Sequence, residues 1–117
     1  MEKITLIITE GPGSLKAWNA TRAAAAFKGV DMTVVIFLMD DGVYNAKEKQ
    51  EPVDGLREMN TAKKLQELIG LGIEIIICGT CQKARGLQES EFIKGVKLGS
   101  MMDMAKSVKE SKASLTF

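Results

Sequence analysis

Two thiols dominate the chemistry available to this chain. Cys78 and Cys81 are its only cysteines, and it has no histidine. They sit at the end of an apolar run, Glu74-Ile75-Ile76-Ile77-Cys78. A thiol works as a nucleophile, sulfur carrier or metal ligand in its thiolate form, so it needs access and a setting that favours the anion. Lys83 and Arg85 follow closely and are expected to supply that setting. A bridge between cysteines two residues apart closes too small a loop to restrict much unfolded chain. In a cytosolic protein the spacing therefore points to redox, metal or nucleophilic chemistry.

Other readings stand beside that one. A cysteine that ends a buried strand is also, plainly, a small inert hydrophobe. Zinc takes four donors, and two thiolates without any imidazole supply half of them. Only a site shared between subunits, or completed by carboxylates, would hold it. No metal and no organic cofactor is expected. A thioredoxin-like site opens a long helix, whereas Gly86 ends any helix early here.

Two further stretches are candidate ligand or positioning sites. Gly11-Pro12-Gly13-Ser14 loosely resembles an anion-cradling turn before a helix, with Gly11 and Ser14 as its working residues. The full dinucleotide and P-loop fingerprints are absent, so an ordinary tight turn is the simpler expectation. Asp40 and Asp41 are placed to orient a thiol or ligand, or to bind a cation, or only to precede the turn at Gly42. Trp18, at helical spacing, is expected to pack, and the methionines to fill core and interface.

These residues must be held by a scaffold, and the hydrophobic pattern outlines one. Ile4 to Thr9, Met32 to Leu38 and Ile73 to Ile77 read as strands buried on both faces, as in a parallel sheet. Helices are expected from Ser14 as N-cap to about Lys28, with Leu15, Trp18, Arg22 and Ala25 at helical spacing and Gly29 as the stop. A second runs from Leu56 or Asn60 to Ile69, with Ala62, Leu65, Leu68 and Ile69 on one face. A short helical segment is expected around Ser90 to Lys94, and a short strand at Val96 to Leu98. Ser100 and Asp103 form a capping-box pattern that opens a last helix, with Met101, Ala105 and Val108 inward. Ala113 to Phe117 reads as a terminal strand. Val43 to Gly55 is the longest irregular stretch, with room for a short helix; such segments are often functional. Alternating strands and helices argue for an α/β fold, a parallel sheet covered on both faces. Chemistry in such sheets gathers beyond the carboxyl ends of the strands. The Gly11–Ser14, Met39–Asn45 and Cys78–Gly86 loops should then face one side.

Size and charge bound the rest. A chain of 117 residues is expected to form one domain, residues 1–117. A formal net charge of +1 does not single out nucleic acid or membrane as partner. No apolar run approaches the roughly 18 residues of a membrane span, and the start lacks a signal-peptide pattern. A cytoplasmic location is expected.

The stretch Cys78 to Leu87 resembles the cysteine loop of the DsrE/DsrF-like family, which includes small sulfur-relay subunits and YchN-like proteins. Phe37 to Val43, Gly95 to Met101 and the ending Ser114 to Phe117 match as well, so the resemblance covers nearly the whole chain. It implies a three-layer α/β/α sandwich with a five-stranded, mainly parallel sheet. It also implies oligomers, commonly trimers or hexamers. In sulfur-relay members a cysteine of this loop carries sulfur as a persulfide. Counted back from Arg85-Gly86, Cys78 matches the relay position and Cys81 the YchN-like position. The function expected is that of a sulfur carrier or sulfurtransferase. Its thiolate is stabilised by Lys83 and Arg85, and it exchanges sulfur with donor and acceptor proteins or small thiols. The alternatives are a non-catalytic oligomeric protein that binds a small ligand or a partner, and a Cys78–Cys81 thiol-disulfide switch.

Overall fold

The computed structural model describes residues 1–117. The β-branched runs form strands β1 (Lys3–Ile8), β2 (Thr33–Leu38) and β3 (Glu74–Cys78). Two short edge strands, β4 (Lys97–Gly99) and β5 (Ala113–Thr116), complete one sheet in the order β4-β3-β2-β1-β5, parallel throughout. The architecture is the α/β sandwich that the alternating pattern predicts. No helix is long and apolar enough to cross a membrane.

Helices α1 (Leu15–Gly29) and α2 (Thr61–Gly70) contribute to the main core. They join the Ile4, Leu6, Ile8, Val34, Ile36, Leu38, Ile75 and Ile77 face of the sheet in a cluster of 20 buried residues. The face of α1 differs from the expected one. Leu15 and Arg22 are exposed, and Ala17, Ala20, Thr21 and Ala24 are buried. Small side chains let this helix approach the sheet closely, so the bulky residues mark its outer side. Its stop differs too: Gly29 is still helical, and the left-handed turn falls on Asp31 at φ 65°. Asn60 caps α2 by accepting from the Lys63 amide at 3.0 Å.

The other face carries only four buried residues, Val35, Phe37, Ile76 and Cys78, packed with Ile7, Met39, Met104 and Cys81. Met104 comes from α4 (Met101–Glu110), whose capping box between Ser100 and Asp103 is fully formed. Val108 faces inward as expected, but its companions are Met104 and Ser107, while Met101 and Ala105 are exposed. Met101 and Met102 are exposed and fill no core. Ser107 tolerates burial because its hydroxyl lies 2.7 Å from that of Thr5, which in turn meets Ser111 at 2.8 Å.

Beyond β2 the chain does not simply turn. Asp40–Ala46 forms a 3-10 helix. Two shorter 3-10 turns follow, at Arg57–Met59 and at Glu89–Glu91, the latter overlapping the start of the segment expected at Ser90–Lys94 and ending sooner.

Candidate functional site

The three loops meet beyond the strand ends. Cys78 closes β3 and caps α3 (Gly79–Ala84), its Sγ accepting from the Cys81 amide at 3.4 Å. The Cys-x-x-Cys therefore opens a helix, but one of only six residues. Gly86, at φ 66°, takes the left-handed turn that ends it. Gln82 pins the exit by donating to the Leu87 carbonyl.

The two sulfurs have different surroundings. Cys78 is 4% exposed, enclosed by Val35, Phe37 and Ile76. Cys81 is half-buried and its Sγ accepts a hydrogen bond from the Asp40 amide at 3.2 Å. Asp40 delivers that N–H from a left-handed backbone, φ 51°, a conformation that costs a non-glycine residue about 1–2 kcal/mol. The next turn holds it there. Gly42 packs against the end of β1, where any side chain would collide with the Ile8 carbonyl.

Burial is the main influence on the Cys81 thiol, and it pushes the pKa above the ordinary cysteine value. The neighbouring Cys78 raises it further, and the Asp40 N–H opposes both. At neutral pH Cys81 rests mainly as the thiol, with a donor already aimed at the position where negative charge forms.

The two cations expected to serve the thiolate do different things. Lys83 lies exposed on α3 and its ammonium has no hydrogen-bond or ion-pair partner. Arg85 is committed elsewhere. Its Nε and Nη2 donate to Asp41 Oδ1 at 3.1 and 2.9 Å, and its Nη1 donates to the Cys81 carbonyl at 3.3 Å. Asp41 raises the Arg85 pKa, with smaller contributions from Cys81 and Tyr44. Asp41 and Arg85 thus tie the β2 loop to the cysteine helix. Asp40 acts on sulfur through its backbone while its side chain stays exposed. No three Cys, Asp or Glu side chains converge as a metal ion would need.

The glycine loop is built as a closed turn. Ser14 accepts from the Lys16 amide and donates to Glu10 Oε1 at 2.6 Å, and the Lys16 ammonium meets Glu10 Oε2 at 3.3 Å. These contacts, Ser14 first, lower the Glu10 pKa. A carboxylate of the chain itself thus occupies the place beside the α1 N-terminus where an outside anion would sit. Gly11 lies against the Asp41 carbonyl. Asn45, 1% exposed, joins the two loops by donating to the Glu10 and Gly42 carbonyls at 2.8 and 3.0 Å. Sequence reasoning singled out Gly11, Ser14, Asp40, Asp41, Cys78, Cys81, Lys83 and Arg85; all but Lys83, which projects from α3 without a partner, lie in this assembly. It missed Asn45 and Glu10; the one available signal was a Glu four residues ahead of a helix-capping Ser.

Comparison with known proteins agrees with this fold. The model of the DsrE/DsrF-like family matches residues 2–117. The uncharacterized protein MJ0989 of Methanocaldococcus jannaschii is 42% identical over 118 residues, covering 98% of this chain and 99% of that protein. The uncharacterized protein MK0008 of Methanopyrus kandleri is 40% identical, covering 95% and 90%. The crystal structure of YchN from Escherichia coli superposes with a TM-score of 0.89 at 28% identity over the full length of both chains. The protein MTH1491 of Methanobacterium thermoautotrophicum shares the fold, with a TM-score of 0.76 at 13% identity over 98% of this chain and 99% of that one. With the family model spanning all but the first residue and the cysteine loop at the expected strand end, this chain belongs to the DsrE/DsrF-like family.

Proposed function

We propose that this protein is a cytoplasmic sulfur carrier in which Cys81 bears the persulfide. The observation that carries the reading is the contrast at the Cys-x-x-Cys: Cys78 is enclosed, whereas Cys81 is partly accessible and faces the Asp40 N–H. The Cys81 thiolate attacks the outer sulfur of a donor persulfide, R–S–SH. The donor S–S bond breaks, R–S⁻ leaves, and Cys81 becomes Cys–S–SH with no net oxidation. An acceptor thiolate then takes the outer sulfur by the same displacement and restores the Cys81 thiolate. Alternatively Cys78 attacks the inner sulfur, which forms a Cys78–Cys81 disulfide and expels hydrogen sulfide. The donor and acceptor are a protein or a small thiol, and the working form is a homo-oligomer, a trimer or hexamer.

Pre-orientation of the Asp40 N–H supports this chemistry, because a fixed donor lowers the cost of forming sulfur anion without reorganisation. Incubation with a persulfide donor tests it by mass spectrometry. The expected result is a gain of one sulfur that Cys81→Ser abolishes. Undiminished gain in Cys81→Ser would refute it.

A further inference from the structure

Beside the cysteine loop lies a polar basin of about 570 Å³, lined by Glu10, Gly11, Pro12, Ser14, Asp41, Tyr44 and the Lys47–Gln50 segment. Its rim is built rather than loose. The Gln50 amide donates to the Tyr44, Asn45 and Lys47 carbonyls at 3.2, 3.1 and 3.1 Å, and its oxygen accepts from Thr61 at 3.0 Å. Lys47 bridges Phe92, and the Glu48 amide donates to the Glu91 carbonyl at 2.9 Å. One ion pair separates the basin from the sulfur loop, since Asp41 lines the basin and holds Arg85, which holds the Cys81 carbonyl.

The charges in the basin divide into spent and unspent. Glu10 is matched by Lys16 and Asp41 by Arg85. Lys47, Glu48 and Lys49 have no ion-pair partner among the seven pairs of the structure. The segment therefore presents two free ammonium groups with one free carboxylate between them in sequence. The complement is a small ligand with one or two carboxylates and one ammonium group, the pattern of an amino-acid or short-peptide thiol.

We infer that the basin is the binding site for such a zwitterionic low-molecular-weight thiol, with Lys47 and Lys49 taking its carboxylates and Glu48 its ammonium. This rests on the sulfur-carrier reading and names the small-molecule partner of that site. In the transfer, the bound persulfide gives its outer sulfur to the Cys81 thiolate and departs as its own thiolate, so atoms and charge balance without an oxidant.

The test compares two donors, glutathione persulfide and the uncharged 2-hydroxyethyl persulfide, by the ratio of their second-order rates of sulfur loading. A separate titration measures binding of S-methylglutathione, which cannot transfer sulfur. Lys47→Gln with Lys49→Gln should lower the ratio about tenfold, as two charge-assisted contacts allow, and weaken the titration by a similar factor. Lys47→Arg with Lys49→Arg should restore both, and an unchanged denaturation midpoint confirms folding. An unchanged ratio and an unchanged titration in the glutamine variant overturn the inference. If no donor loads either cysteine, the sulfur-carrier reading fails, and the titration alone then decides the basin.

Discussion

Two strand-to-helix junctions leave the same edge of this sheet, on either side of β2, and are finished in opposite ways. At the β1–α1 junction the cap is Ser14, the nearby anion is Glu10, and Lys16 neutralises it. The helix that follows has 15 residues, so the junction is a structural fixture whose capping hydroxyl and nearby carboxylate are both paired. At the β3–α3 junction the cap is a sulfur, and the helix ends after six residues. The best donor there comes from another loop, at Asp40, and points at Cys81. The site thus lies where the chain has not supplied its own anion. A glycine-rich turn alone does not mark it.

The largest expected effect is at the sulfur itself. Cys81→Ser should remove persulfide loading entirely. Cys78→Ser should still load and should hold the sulfur longer, because the thiol that would displace hydrogen sulfide is gone. Stopped mixtures followed by intact mass separate the two.

Gly42→Ala comes next and breaks the comparison from the side of the β2 loop. The added methyl meets the Ile8 carbonyl. A loss of about 2–4 kcal/mol in urea unfolding is expected, with slower Cys81 alkylation as the Asp40 N–H is displaced. Unchanged stability would mean that the loop is not held by this contact.

The pH dependence sharpens the account of the thiol. Cys81 is held above the ordinary cysteine pKa by burial first and by Cys78 second. Alkylation at Cys81 should therefore rise about tenfold per unit from pH 6 to 8 and keep rising beyond the ordinary cysteine value of about 8.5. The same shift gives folding a contribution that is complete below the unfolded pKa and is lost as pH rises through the folded one. A plateau below pH 8 would show an activated thiolate instead.

Smaller effects should distinguish tie from fixture. Asp41→Asn or Arg85→Gln should slow Cys81 loading a few-fold, and the double variant should be no slower than either, because the two residues form one tie. Ser14→Ala should cost about 1 kcal/mol of stability, as a lost N-cap does, and leave loading unchanged.

Much of this was legible in the sequence, for physical reasons. Runs such as Ile4 to Ile8 and Ile75 to Ile77 cannot rest anywhere but inside a sheet, and their alternation with helices sets the loops on one edge. The resemblance at Cys78 to Leu87 named the family. Helix faces were less legible. Close packing favours the alanines of α1 over its larger residues, and Ser107 is buried only because the distant Thr5 completes its hydrogen bond. The Asp40 contact was illegible in principle, since a backbone N–H carries no residue signature. Lys47 and Lys49 lay in a stretch without periodicity, and only the Gln50 network shows that it is an ordered rim.

Locating the transferred sulfur on the wild-type protein tests the central claim most directly. After brief loading with a persulfide donor and alkylation, peptide mass mapping should place the extra sulfur on Cys81, with Cys78 unmodified. Extra sulfur on Cys78 would contradict the account, since the enclosed thiol would then be the carrier.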